Sequence, residues 1–298
     1  MSVGFVISSI IGALVYSTDF VNSVASALNF ETEFTKQQTV KFPLYLNLGS
    51  ALIVFFIACK FEEDHKISMG GKIIAIKESF AGALRAGQWI LKSPAASCLI
   101  LIGLFYDSII WVFYTILSNI YRILLIPEWC WGLVGAVASI IGIGVAIICE
   151  KMATNLSPGI NFGVVTILTF LGCIALSLAV PGWGVILLLP MFSAMRFLQY
   201  FLSHYLNKVT PSEQRATVLS FKGLSMNLAF GILTQVFGVL TARIYLSNKF
   251  SDAPDPQLSA FRYALEWWPY YFSVGVIILF GFIKLKYRKS ITKLINQT

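Results

Sequence analysis

Charge is scarce in this sequence. Asp, Glu, Lys and Arg together make up 12% of its 298 residues, where soluble domains carry about 25%. With 57% apolar residues, the chain has too little polar surface to cover itself in water, and a lipid environment is expected. Histidine is scarcer still, with two residues, His65 and His204, and no pair at metal-binding spacing. Five cysteines occur, Cys59, Cys98, Cys130, Cys149 and Cys173. All lie in or beside apolar runs, so they read as small buried hydrophobes and not as a disulfide or metal framework. A nucleotide-cradling glycine loop is absent, as is a Ser or Cys nucleophile with an evident base. Enzymatic activity and cofactors are therefore not expected. Strict apolar–polar alternation is missing too, which speaks against an outer-membrane barrel. The start lacks the basic residues of a secretory signal, so no cleavage is expected.

What is present is a series of long apolar runs. A span needs about 20 residues to cross the hydrocarbon core. Eight candidates follow, at about 3–20, 40–60, 95–118, 129–149, 160–181, 183–206, 217–243 and 268–287. Val180-Pro181-Gly182-Trp183 divides the fifth from the sixth as a tight helical hairpin. Residues 72–92 place Ile73, Ile76, Phe80 and Leu84 at helical spacing, an amphipathic helix on the membrane surface. The loop at about 246–266 is expected outside.

The net charge of +8 does not point to nucleic acid, because the basic residues sit at the ends of apolar runs. Of the 22 Lys and Arg, 15 fall on the side of the 60–92 loop and of the C-terminal tail, Lys222 counted among them. Six fall on the other side and Arg196 on neither. The positive-inside rule puts the richer side, with both termini, in the cytoplasm. A bacterial inner membrane is the expected location. Trp129, Trp131, Trp183, Trp267 and Trp268 lie at span ends as an interfacial belt.

Two spans, a long basic loop with an amphipathic helix, six more spans and a basic tail resemble the second half of a major facilitator superfamily transporter. The stretch Thr210-Pro211-Ser212-Glu213-Gln214-Arg215-Ala216-Thr217-Val218-Leu219-Ser220 resembles the polar turn between that family's tenth and eleventh helices. The helix after it is rich in small residues, here Gly223, Ser225, Gly231 and Gly238, which are expected to let helices pack closely. Gly4, Gly12 and Ala13 look like the glycine-bearing fifth helix, without its Gly-Pro element. Only the charges of a weaker loop motif are recognisable, at Glu150-Lys151-Met152. The resemblance implies an all-α integral membrane protein covering helices five to twelve, with four N-terminal helices absent. Residues 1–60 would be two helices of an incomplete N-terminal bundle, 61–93 the cytoplasmic loop, and 94–298 a six-helix C-terminal bundle with a basic tail. Secondary transport of a small solute by alternating access is implied, either in a truncated form or with self-association or a partner that supplies the missing helices. A non-transporting remnant or interaction subunit is the alternative.

Asp107 and Arg196 each lie about twelve residues into a span. An ionised group at mid-membrane costs about 3 kcal/mol or more, so both are expected to face a central cavity, bind a charged solute or a proton, or pair with each other. The other readings are a fixed structural ion pair and a misjudged depth. Asp107 is titratable, which makes the proton the expected coupling ion. Tyr106 and Tyr114 share its span and Gln199 shares the Arg196 face. Asn227 and Gln235, eight apart on the seventh span, complete the candidate set. Such groups either contact a ligand or bridge helices.

Overall fold

A computed structural model describes residues 2–30, 33–60, 81–82, 84–85 and 87–295, and all regular structure among these residues is helical. Seven helical segments are long and apolar enough to cross a membrane, and an eighth is reached if a bent pair near the start counts as one span. Most of the expected amphipathic helix at 72–92 lies outside the described residues; its end is helical at 81–82, 84–85 and 87–92. The chain divides into two compact units, Met1–Ile76 with Pro127–Ile140, and Lys77–Ile126 with Ile141–Thr298.

In the first unit, α1 (Ser2–Tyr16) and α2 (Thr18–Ala27) take the place of the continuous span expected at 3–20. The two meet at an 80° bend. The break has a local cause. Ser17 adopts an extended backbone and its side chain accepts a hydrogen bond from the Phe20 N–H, which starts a new helix. The chain then turns through Asn29 in the left-handed region. Asn22 fastens the segment by accepting from the Phe34 N–H at 2.8 Å and donating to its carbonyl at 3.2 Å. The short α3 (Lys36–Thr39) opens with Thr35 donating its N–H to Gln38, half of a capping box. It leads into α4 (Phe42–Ala58), no residue of which is buried.

The second unit is built around α5 (Pro94–Thr115), which starts on Ser93 with Pro94 in its first turn. Twelve of its 22 residues are buried. It packs against α10 (Leu189–Val209), α11 (Arg215–Leu246) and α13 (Trp268–Ile295), while α10 also packs against α8 (Pro158–Leu178). Tyr106, Phe113, Met191, Phe201 and Leu202 are fully buried between these helices. A short helix, α6 (Leu117–Ile123), follows α5. The long helix α7 (Trp131–Asn155) begins in the first unit and continues in the second. Asn161 of α8 donates to the Met152 carbonyl of α7 and to the Tyr205 hydroxyl of α10, tying three helices at one end. The expected hairpin is present. Helix α8 ends with Ala179 in the left-handed region, Gly182 follows at φ +70°, and the short α9 (Gly184–Leu187) leads into α10. The Gly182 N–H donates to the Leu124 carbonyl at 2.7 Å.

Two expectations change. The stretch at about 246–266 is not all loop, because α12 (Pro256–Glu266) forms there, capped by Asp255 accepting from the Leu258 N–H. Its apolar residues Ala260, Phe261, Ala264 and Leu265 are buried. Nor do the small residues of α11 mark a helix crossing. A Cβ added to Gly223, Gly231 or Gly238 would meet nothing within 4 Å among the described residues. The close approaches are elsewhere. At Gly172 a Cβ would lie 2.7 Å from the Met191 Cβ, and at Gly275 it would run into the Phe105 ring.

Candidate functional site

The polar interior of the second unit is assembled from three helices. Asp107 sits in the middle of α5 and is 2% exposed. Gln199 of α10 donates to its Oδ1 at 2.6 Å, and Trp111, one turn along α5, lies within hydrogen-bonding reach. The cation that acts on Asp107 is Lys222 of α11. Lys222 is buried, and its ammonium donates to the Ser203 hydroxyl of α10 at 3.3 Å. Gln199 and Ser203 are four residues apart, so they lie one above the other on one face of α10. The result is a ladder in which Asp107 is held by Gln199 and Lys222 by Ser203.

The two charges do not touch, since no ion pair within 4.0 Å joins them. Each group acts on the other through its charge at a distance, and this attraction offsets part of the burial of both without locking them into a contact pair.

Arg196 stands elsewhere. No ion pair joins it to Asp107. Its side chain is exposed and lies over Gly142 of α7, where an added Cβ would be 3.0 Å from its Nε. Its electrostatic neighbour is Tyr114 of α5, whose ring packs against Phe113 and Phe192. Of the residues expected at the site, the structure brings Asp107 together with Gln199, and Arg196 with Tyr114. Tyr106 is fully buried, its hydroxyl hydrogen-bonded to Thr166 of α8 at 2.7 Å, so it bridges helices. Asn227 and Gln235 are exposed on α11.

Lys222 is not among the residues expected at the site, because in the sequence it fits the pattern of the loop charges. A usable signal existed. Lys222 lies inside the apolar run assigned to the seventh span, and α11 starts at Arg215, two turns before it.

Two cavities lie in the same unit. One, of about 440 Å³, is lined by α5, α8, α11 and α13 and is apolar, with Phe105, Leu233, Trp268 and Phe272 in its wall. Trp268 is buried there against the Phe237 ring. The other, of about 480 Å³, lies between α6, the C-terminal half of α11 and the start of α12, and includes Asn119, Arg122, Thr241 and Asp255. Among the described residues, no group of His, Cys, Asp and Glu is arranged to hold a metal ion.

The chain is a multi-pass membrane protein of all-α fold. No family model matches it, and neither a curated protein nor a solved structure does.

Proposed function

We propose that this protein is a secondary active transporter of a small solute, working by alternating access and coupled to protons through Asp107. The observation that supports this most is the pairing of Asp107 with Lys222 across α5 and α11, both buried inside apolar spans and each held by a neutral side chain of α10. Buried ionisable groups within a membrane are costly, and they commonly mark ion or substrate pathways. The two charges attract without a locked contact. Protonation of Asp107 therefore removes the counter-charge of Lys222, and the relative stability of helix arrangements that bring them closer or farther changes with it. That is a coupling device of the kind alternating access requires. The exposed Arg196 beside Tyr114 supports a wet face, because a mid-span arginine is poorly placed against lipid.

The resemblance to the major facilitator superfamily, with the chain standing for helices five to twelve, belongs to this proposal. So do the plasma-membrane location, the cytoplasmic termini, and a second copy or partner that completes the bundle. The same holds for the division at 1–60, 61–93 and 94–298. On this reading the chain is not an enzyme and uses no cofactor.

The test is gradient-driven uptake in proteoliposomes of the full chain, screened against pooled metabolites, with Asp107→Asn beside it. Uptake that collapses with the proton gradient and in the variant is the expected result. Gradient-driven uptake that is unchanged in Asp107→Asn would sink the coupling role. The second reading is a non-transporting interaction subunit. It is favoured by α4, a helix of spanning length without a single buried residue. Absence of uptake by folded protein, together with a stable complex that is lost when α4 is altered, would establish that reading instead.

A further inference from the structure

The two cavities of the second unit share a wall. Phe237 lines both of them. It is 9% exposed, and it is held edge-on by Phe261 of α12, with ring centres 5.8 Å apart, and by Trp268 of α13 at 5.5 Å. On one side of this ring the cavity is walled mostly by apolar side chains, with Ser108, Cys173 and Tyr271 among them. Its one side-chain hydroxyl on α5, that of Ser108, donates to the Leu104 and Phe105 carbonyls and is not offered to a ligand. On the other side the wall carries an arginine, an aspartate, an asparagine and two threonines. The Thr234 and Thr241 hydroxyls are likewise spent on the Phe230 and Phe237 carbonyls. The groups left to recognise a ligand are Arg122, Asp255, Asn119, Gln257 and Tyr245. Arg122 meets no carboxylate within 4.0 Å among the described residues. Asp255 uses one oxygen, Oδ1, on the Leu258 N–H.

We propose that these cavities are the two halves of one binding site for a zwitterionic amphiphile, with Phe237 as the partition between them. An acidic group on the ligand head would engage the Arg122 guanidinium, which suits carboxylate and phosphate geometry. An ammonium or other donor beside it would engage the second oxygen of Asp255. The apolar tail would pass the Phe237 ring and lie among Phe105, Leu233, Trp268 and Phe272. This chemistry explains why a polar and an apolar cavity of similar size abut on a single aromatic side chain.

The probe is 2-aminodecanoate with a diazirine in its alkyl tail, photolysed with the full chain in liposomes of an uncharged galactolipid, the adducts then mapped by mass spectrometry. Adducts are expected on α5 and α13 near Phe105 and Phe272, with excess unlabelled 2-aminodecanoate competing and decanoate or decylamine competing less. Arg122→Ala changes an exposed side chain, so folding should persist while specific labelling falls about tenfold, the loss expected for one charge-assisted hydrogen-bonded contact. Phe237→Trp should block labelling of the inner cavity and Phe237→Ala should increase it. Labelling that falls equally on α4, and that neither competitor nor Arg122→Ala reduces, would mean partition into the bilayer only and would overturn the proposal. Competed labelling that is insensitive to Arg122→Ala would overturn it as well, because the head would then lie elsewhere.

Discussion

Helices α4 and α5 are both apolar enough to span a membrane, yet they have opposite fates in the fold. No residue of α4 is buried, whereas more than half of α5 is. Leu, Ile, Val and Phe are abundant in both. The difference lies in the rarer residues. Helix α5 carries Asp107, and with it Tyr106 and Ser97, each bonded to another residue of its own unit. Helix α4 carries Asn47 and Ser50, and the Ser50 hydroxyl donates only to the Asn47 carbonyl of the same helix. In lipid an apolar surface gains little by being covered, because the tails are as apolar as leucine. Polar side chains and close packing decide which helix is central.

The largest expected effect tests the polar half of that argument. Asp107→Leu leaves Lys222 buried without its counter-charge. Breaking a buried pair in this way costs about 3 kcal/mol or more. Lys222→Met should be comparably harmful, and the double variant should recover at least half of the loss. Asn47→Leu in α4 should change stability by no more than about 0.5 kcal/mol. Unfolding in bicelles, followed by a strong-binding trap for the unfolded state, reads all four. Strictly additive single-variant costs would show that the two charges do not depend on each other.

A smaller effect tests packing. Gly275→Val drives a side chain into the Phe105 ring, which is itself stacked on Phe272 at 5.7 Å and has little room to yield. Overpacking of this kind costs about 1–3 kcal/mol. Gly231→Ala in α11 meets nothing and should be neutral or stabilising by up to about 1 kcal/mol, since alanine restricts the unfolded chain more than glycine does. The same unfolding measurement ranks the two. A larger loss at Gly231 than at Gly275 would mean that α11 packs through its glycines after all.

The spans were legible in the sequence because length and hydropathy are local properties. Seven of the eight expected positions coincide with observed helices, and the remaining one is broken at Ser17. That break hung on one side chain capping one N–H, which an apolar average over twenty residues does not register. The Pro181-Gly182 hairpin was legible because its geometry demands those residues. The site was legible in part. Asp107 stood out as a charge inside a span, and Gln199 as a neighbour on α10. Its partner did not, because Lys222 lies near the start of α11, where a lysine equally fits the pattern of an orienting charge. Which side of a helix faces a neighbour is a tertiary fact, and for the same reason the sequence leaves open whether Arg196 meets Asp107, while in the fold it lies over Gly142.

The smallest expected effect lies in the first unit, at the entry to α7. Glu128 accepts a hydrogen bond from the Tyr16 hydroxyl at 3.1 Å and pairs with Lys36 at 2.9 Å, and the Lys36 ammonium sits 3.9 Å from the centre of the Tyr16 ring. Three segments of the unit, α1, α3 and the turn before α7, are thereby joined by groups that remain substantially exposed. Exposed pairs contribute about 0.2–1 kcal/mol and are screened by salt. Glu128→Gln keeps the shape and a hydrogen-bond acceptor but removes the charge, so it should cost about 0.5 kcal/mol at low salt. Raising the salt to about 1 M, where the screening length falls to about 3 Å, should shrink that cost. The buried pair of the second unit should respond far less, because salt does not reach it. If the Glu128→Gln loss matched the Asp107→Leu loss and ignored salt, the corner at Glu128 would be as dry as the interior around α5, and the contrast between covered and uncovered helices would not follow their polar residues.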